Sequence, residues 1–184
     1  MMFQPSIGHD TEIRRFIAAR GSNRFHHAWL LEGPKGIGKN LTAINLAATL
    51  LGASYAFEAS GFRALPGSIT EHLVAGSHPD FRLIQKGADD NGKPKQDIPV
   101  ESLRKLSQFF SLKPAMGGYR VAIIDALDEL NTSGSNALLK TLEEPPENSV
   151  LILIYHGRSG LLPTIRSRCQ RLIFKRLPPD KMSL

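Results

Sequence analysis

The sequence predicts an α/β fold, a central parallel sheet covered on both faces by helices. Three observations carry this. Near-continuous apolar runs at 27–31, 119–125 and 150–155 alternate with longer segments of helical period, the pattern of strands buried on both sides. A glycine-rich turn follows the first run directly and opens a helix. With 184 residues, 41% hydrophobic and 22% charged, the chain has the size of one globular domain, able to bury roughly 70% of its unfolded surface.

Residues 11–20 form a short amphipathic helix with Ile13, Phe16 and Ile17 on one face, ended by Gly21-Ser22-Asn23. Residues 27–31 make a buried strand. Residues 39–51 are helical, apolar at Ile44, Leu46, Ala47, Leu50 and Leu51, with Gly52 as the stop. The stretch 52–80 is poorly periodic, either a long loop or a small inserted module. Residues 81–85 resemble a strand, and Gly87, Asp89, Asp90, Asn91, Gly92 and Pro94 mark an exposed turn. Pro99, Val100 and Glu101 open a helix that runs to about Ser111, with proline and an acid placed to suit the helix dipole. A second strand ends at Asp125, a helix over 133–143 is capped by Ser133, and strands at 150–155 and 171–174 follow. Leu177-Pro178-Pro179-Asp180 reads as the start of a linker.

Composition excludes several classes. No stretch approaches the ~20 apolar residues that a membrane span needs. Residues 1–10 lack both the basic start and the apolar core of a signal peptide. Cys169 is the only cysteine, which excludes an internal disulfide or a cysteine-rich zinc site and points to a cytoplasmic chain. The histidines (His9, His26, His27, His72, His78, His156) show no metal-ligand spacing, and adjacency keeps His26 and His27 from facing one ion. No metal site is expected from them. The net charge is +6. Arg166, Arg168, Arg171, Lys175 and Arg176 crowd the last stretch, while Asp125, Asp128, Glu129, Glu143, Glu144 and Glu147 gather upstream. Such a balance suits nucleic acid or an acidic partner as well as plain solvated surface.

The turn reads Gly33-Pro34-Lys35-Gly36-Ile37-Gly38-Lys39-Asn40. It is a complete G-x-x-x-x-G-K phosphate loop in the strand–loop–helix setting that the motif requires. Backbone N–H groups converging at a helix N-terminus stabilise phosphate oxygens, and Lys39 adds a full charge for the β- and γ-phosphates. The Ser or Thr that normally follows the lysine and holds Mg²⁺ is Asn40 here. A neutral amide is an uncommon ligand in a strict octahedral Mg²⁺ site. The companion acid is Asp125, at the end of Val121-Ala122-Ile123-Ile124, placed to hold Mg²⁺ through water or to cap a turn. Hydrolytic relatives of the motif follow this acid with a glutamate that polarises the attacking water. Ala126 stands there instead, and Asp128 and Glu129 lie too far along a turning chain to be equivalent. ATP or ADP with Mg²⁺ is the ligand class, weakened by Asn40 and Ala126, and efficient hydrolysis is not expected.

Arg168 lies in Leu161-Leu162-Pro163-Thr164-Ile165-Arg166-Ser167-Arg168-Cys169. Its planar fork can bind phosphate bidentately, but residue physics alone favours a surface arginine paired with a glutamate. Cys169 reads as a small buried hydrophobe.

Together these residues resemble the clamp-loader branch of the AAA+ proteins, and within it the delta-prime type of bacterial DNA polymerase III subunit. The likeness rests on His27-Ala28-Trp29-Leu30-Leu31 with the loop from Gly33 to Lys39, His78-Pro79-Asp80, and Ile98-Pro99-Val100 with Leu103-Arg104. It continues through Asn136-Ala137-Leu138-Leu139-Lys140-Thr141-Leu142-Glu143-Glu144-Pro145-Pro146 and ends with Thr164-Ile165-Arg166-Ser167-Arg168-Cys169. The Asn136 run and the Ser-Arg-Cys triplet are specific to this branch.

The resemblance implies a three-layer, RecA-like P-loop domain over 1–176, with 177–184 starting a linker to a lid domain outside the chain. It implies a largely non-hydrolysing, stator-like member of a ring of subunits that helps load the sliding clamp on primed DNA. Own ATPase activity would be absent or weak. Arg168 becomes an arginine finger acting in trans at the ATP site of a gamma or tau neighbour. Delta, the sliding clamp and primer–template DNA are the further partners. Three departures stand out. Many relatives carry a four-cysteine zinc module where 52–77 has no cysteine, so zinc is excluded. The fourth strand ends in Tyr155 and His156 where hydrolysing relatives often sense the γ-phosphate with threonine or asparagine. The helical lid and collar of full-length members would lie beyond this first domain. Rival readings are a gamma- or tau-type ATPase using Lys39 and Asp125, and a nucleic-acid-binding module. A small-molecule kinase is disfavoured by Asn40.

Overall fold

The computed structural model describes residues 3–21, 25–88, 93, 95–158 and 160–177. In chain order these form α1 (Asp10–Arg20), β1 (Ala28–Glu32), α2 (Lys39–Leu50), β2 (Tyr55–Glu58), β3 (Gly61–Ala64), α3 (Ser68–Val74) and β4 (Phe81–Gln85). Then come α4 (Val100–Ser111), β5 (Arg120–Asp125), a 3₁₀ turn (Leu127–Glu129), α5 (Thr132–Glu143), β6 (Ser149–Tyr155), α6 (Pro163–Ser167) and β7 (Gln170–Ile173).

Five strands make one parallel sheet in the order β4-β5-β6-β1-β7. Its registers set Leu30 beside Leu153 and Ile123 beside Ile152. Successive side chains of a strand point to opposite faces. Trp29, Leu31, Ile123 and Ile152 therefore join Phe16 and Leu46 in one core, while Leu30, Ile124 and Leu153 join Leu103, Leu106 and Leu138 in the other. Every residue of β6 is buried, which is why its sequence shows no polar alternation. Each fully buried Leu or Ile contributes about 1.5–3 kcal/mol.

Boundaries mostly agree with the sequence to within a residue, as fraying ends allow. Three expectations need correction or completion. The stretch 52–80 is a module: β2 and β3 form an antiparallel hairpin, followed by α3. Three short elements carry too few periods to be read from sequence. Asn45, fully buried in α2, ties the hairpin to the N-terminal segment. Its Nδ2 donates to Gln4 O (3.1 Å) and Leu41 O (3.0 Å), and its Oδ1 accepts from Ala64 N (2.7 Å). The cap of α5 is Asn131, not Ser133. The helix starts a residue early, so Asn131 Oδ1 accepts from Gly134 N at 2.9 Å. The segment bearing Arg166 is a short helix, α6, with Pro163 in its first turn.

The rings of His26 and His27 stack 4.6 Å apart where the chain bends before β1. His26 Nδ1 accepts from Ala28 N at 3.1 Å. Ser22 and Asn23, the turn residues Asp89, Asp90, Asn91, Gly92 and Pro94, and Pro178, Pro179 and Asp180 lie outside the described residues. No helix among the described residues is long and apolar enough to cross a membrane.

Candidate functional site

The loop from Gly33 to Lys39 spans the gap between the end of β1 and the start of α2. Its first residue is fixed from two sides. Gly33 N donates to Tyr155 O at 3.2 Å, and a Cβ added to Gly33 would lie 2.2 Å from Phe174 O. Only glycine fits there. At the other end Gly38, at φ 85°, turns the chain into α2, a left-handed conformation that glycine adopts freely. The first N–H groups of α2 have no partner within the helix and face the loop.

Lys39 is 2% exposed. Its Nζ donates to Gly33 O (2.6 Å) and Pro34 O (2.5 Å), the loop's own carbonyls. Burial lowers its pKa to about 8, with Asp125 and Asp128 opposing the shift. A cationic group stripped of water, beside unpaired amides, has the chemistry of an anion site.

Asn40 and Asp125 are 85 positions apart in sequence and meet here: Asn40 Nδ2 donates to Asp125 Oδ2 at 2.7 Å. The amide must present its nitrogen, since two acceptor oxygens would repel. His156 closes the site, its Nε2 3.7 Å from Asp125 Oδ1, and its buried Nδ1 has no partner. Burial lowers its pKa, helped by Lys39 and Lys35 and opposed by Asp128 and Asp125. Asp128 holds the chain leaving β6, accepting from His156 N and Arg158 N, both at 2.6 Å. Glu129 is engaged by Lys86 at 3.3 Å. Ala126 is buried and adds no polar group.

Beside the loop lies a cleft of about 660 Å³ lined by Lys35, Gly36, Ile37, Gly38, Leu41 and Thr42 on one side. Its far wall comes from Gln4–Ile7, Arg176 and Leu177. Sequence reading placed none of these wall residues at the loop, taking Arg176 only for the basic stretch and Leu177 only for a linker, and no local signal marks them as lining. They arrive through the pairing of Ser6 with Phe62 and through Leu177, whose side chain lies against Gly8. The loop amides, Lys39 and the cleft fit a nucleotide. The metal position fits Mg²⁺ badly, because its carboxylate is already bonded to an amide.

Arg168 sits apart from these groups, at the end of α6. It donates to Thr164 O (3.0 Å) and pairs with Glu143 Oε1 (3.0 Å). Both side chains are well exposed, 36% and 49%. Arg166 and Arg171 converge on Glu32, at 3.0 and 2.9 Å, so three of the five crowded cations are paired within the chain. Cys169 is half-buried, its thiol donating to Ile165 O (3.1 Å) and pushed up to about 12 by burial.

The chain is similar to several known proteins. The delta' subunit of Pseudomonas aeruginosa DNA polymerase III is 38% identical over 149 residues, 81% of this chain and 43% of that protein. The gamma/tau subunit of Mycobacterium tuberculosis is 32% identical over 183 residues, 98% of this chain and 30% of that protein. The chain thus spans less than half the length of these relatives. A gamma subunit-related protein of Thermotoga maritima superposes with a TM-score of 0.62 at 20% identity, over 94% of this chain and 47% of that one. A Thermotoga maritima RuvB mutant gives 0.53 at 18%, over 95% and 49%. At such identities the shared property is the fold, that of the AAA+ P-loop proteins. A sequence profile described as DNA polymerase III, delta subunit, matches residues 8–178. Because that match takes in every strand of the sheet, the chain belongs to the DNA polymerase III delta-subunit family.

Proposed function

We propose that this chain serves a delta-prime-like clamp-loader subunit, a largely non-hydrolysing stator that helps load the sliding clamp on primed DNA. The observation that carries the reading is the Asn40–Asp125 hydrogen bond. The group that should hold Mg²⁺ instead occupies the acid that should assist it, and Ala126 leaves no carboxylate to orient water. Losing either a metal ligand or a water-orienting carboxylate removes transition-state stabilisation that hydrolysis depends on. A rival gamma- or tau-type ATPase would need both. In this proposal nucleotide, if taken, is held by Gly33, Pro34, Lys35, Gly36, Ile37, Gly38 and Lys39, with Asn40 and Asp125 at the metal position. The chain works in the cytoplasm with gamma or tau, delta, the clamp and primer–template DNA.

Its catalytic contribution is Arg168, acting in trans on a neighbour's ATP. What supports this is the exposure of Arg168 and the weakness of its present pairing. A solvated ion pair is worth about 0–1 kcal/mol, so exchanging Glu143 for a triphosphate costs little. The test is a reconstituted loader carrying Arg168→Ala. DNA-stimulated ATPase and clamp loading are expected to drop about 10³-fold or more, the scale of trans arginine fingers. Normal rates would sink the assignment.

A further inference from the structure

The metal position of the phosphate loop offers more than a lost ligand. In an intact loop the Ser or Thr hydroxyl and a Mg²⁺ ion lie between the strand-end carboxylate and the phosphates. Here Asn40 spans that gap from the other side, with Nδ2 on Asp125 Oδ2 at 2.7 Å. An amide nitrogen carries two hydrogens. One serves Asp125, and the second is chemically competent to donate to a phosphate oxygen.

From this geometry we infer that the loop takes a nucleoside di- or triphosphate without a divalent cation, Asn40 standing where the metal would. The inference rests on the reading that the loop still binds phosphate. To offer a lone pair to Mg²⁺, Asn40 must rotate its amide and bring Oδ1 toward the Asp125 carboxylate. That exchanges a hydrogen bond to a charged group for an acceptor–acceptor contact, which is unfavourable. Mg²⁺ therefore competes with a bond that the protein already makes. Magnesium also dehydrates reluctantly and favours charged or hydroxyl oxygen.

The remaining charges support a metal-free anion. Lys39 is buried, its Nζ held at the loop by Gly33 O and Pro34 O, and Lys35 lines the cleft. His156 stands beside Asp125 with a buried, unpartnered Nδ1. Around it lie Lys39, Lys35, Asp125 and Asp128.

The experiment is calorimetric titration of the full 184-residue chain with ADP and with ATP, once in excess EDTA and once in excess Mg²⁺. The wild type is expected to bind equally in both, the two Kd values agreeing within about twofold. Asn40→Thr restores the hydroxyl and is expected to gain about tenfold or more from Mg²⁺. In EDTA the ¹⁵N-labelled Asn40 side-chain amide should shift on adding ADP, which a residue uninvolved with phosphate would not do. A wild-type gain of about tenfold or more from Mg²⁺ overturns the inference. So does absence of binding in both conditions. That last outcome leaves the stator and Arg168 readings intact, since these are tested in the reconstituted loader.

Discussion

Strand β5 begins with a buried arginine and ends with a partly exposed aspartate, and the two ends are built differently. At the start Arg120, 7% exposed, meets Asp80, fully buried, at 3.2 Å. Asp80 also accepts from Ala115 N and Met116 N, both at 2.8 Å. Arg120 donates to Lys113 O (3.1 Å) and Phe109 O (2.9 Å), and its guanidinium lies over the Phe109 ring. At the far end Asp125 has one amide at 2.7 Å and an imidazole at 3.7 Å, beside a lysine whose charge burial has weakened. The first end is saturated and holds the fold. The second leaves hydrogen-bonding capacity and unfavourable charge in place, as the nucleotide site proposed here would require.

The largest expected effect tests this contrast directly. Asp80→Ala strands the Arg120 guanidinium in the interior and should cost about 3–5 kcal/mol in urea unfolding, against less than about 1 kcal/mol for Asp125→Ala. Equal losses at both ends would erase the distinction.

The next effect sharpens the ligand side. Lys39 has a pKa lowered to about 8, so its ammonium is charged at pH 7 and neutral well above pH 8. Phosphate binding needs the charged form. ADP affinity should therefore fall about tenfold from pH 7 to pH 9 in the wild type and stay flat in Lys39→Ala, as equilibrium titration would show. The sign for stability is opposite. Between the lowered folded value and the ordinary one the unfolded chain binds more protons, so burial of Lys39 costs less as pH rises through that window.

The smallest effect concerns a cap that merely holds. Asn131→Ala should destabilise by about 1 kcal/mol and Ser133→Ala by no more than about 0.5 kcal/mol, read as midpoint shifts in denaturant. A larger loss at Ser133 would return the cap to the residue first expected.

Much of the site was legible because its parts are local. A phosphate loop is a run of consecutive residues, and its glycines and lysine are recognised by type and spacing. Asn40 and Ala126 were visible as departures for the same reason. The cleft wall was not, since Gln4–Ile7 and Leu177 reach the loop only through long-range packing. The hairpin of β2 and β3 stayed hidden because its strands are four residues each, too short for a periodic signal. Asn131 was missed because Ser133 is an equally good capping type and only the start of α5 separates them.

The sequence by itself determined the sheet, the two cores and the loop chemistry, because apolar period and glycine placement act on neighbouring residues. Tertiary structure alone decided what Asn40 does. An asparagine after the lysine is only a missing hydroxyl until α2 and β5 are packed side by side. Then its amide meets the carboxylate of Asp125, and a lesion becomes a contact.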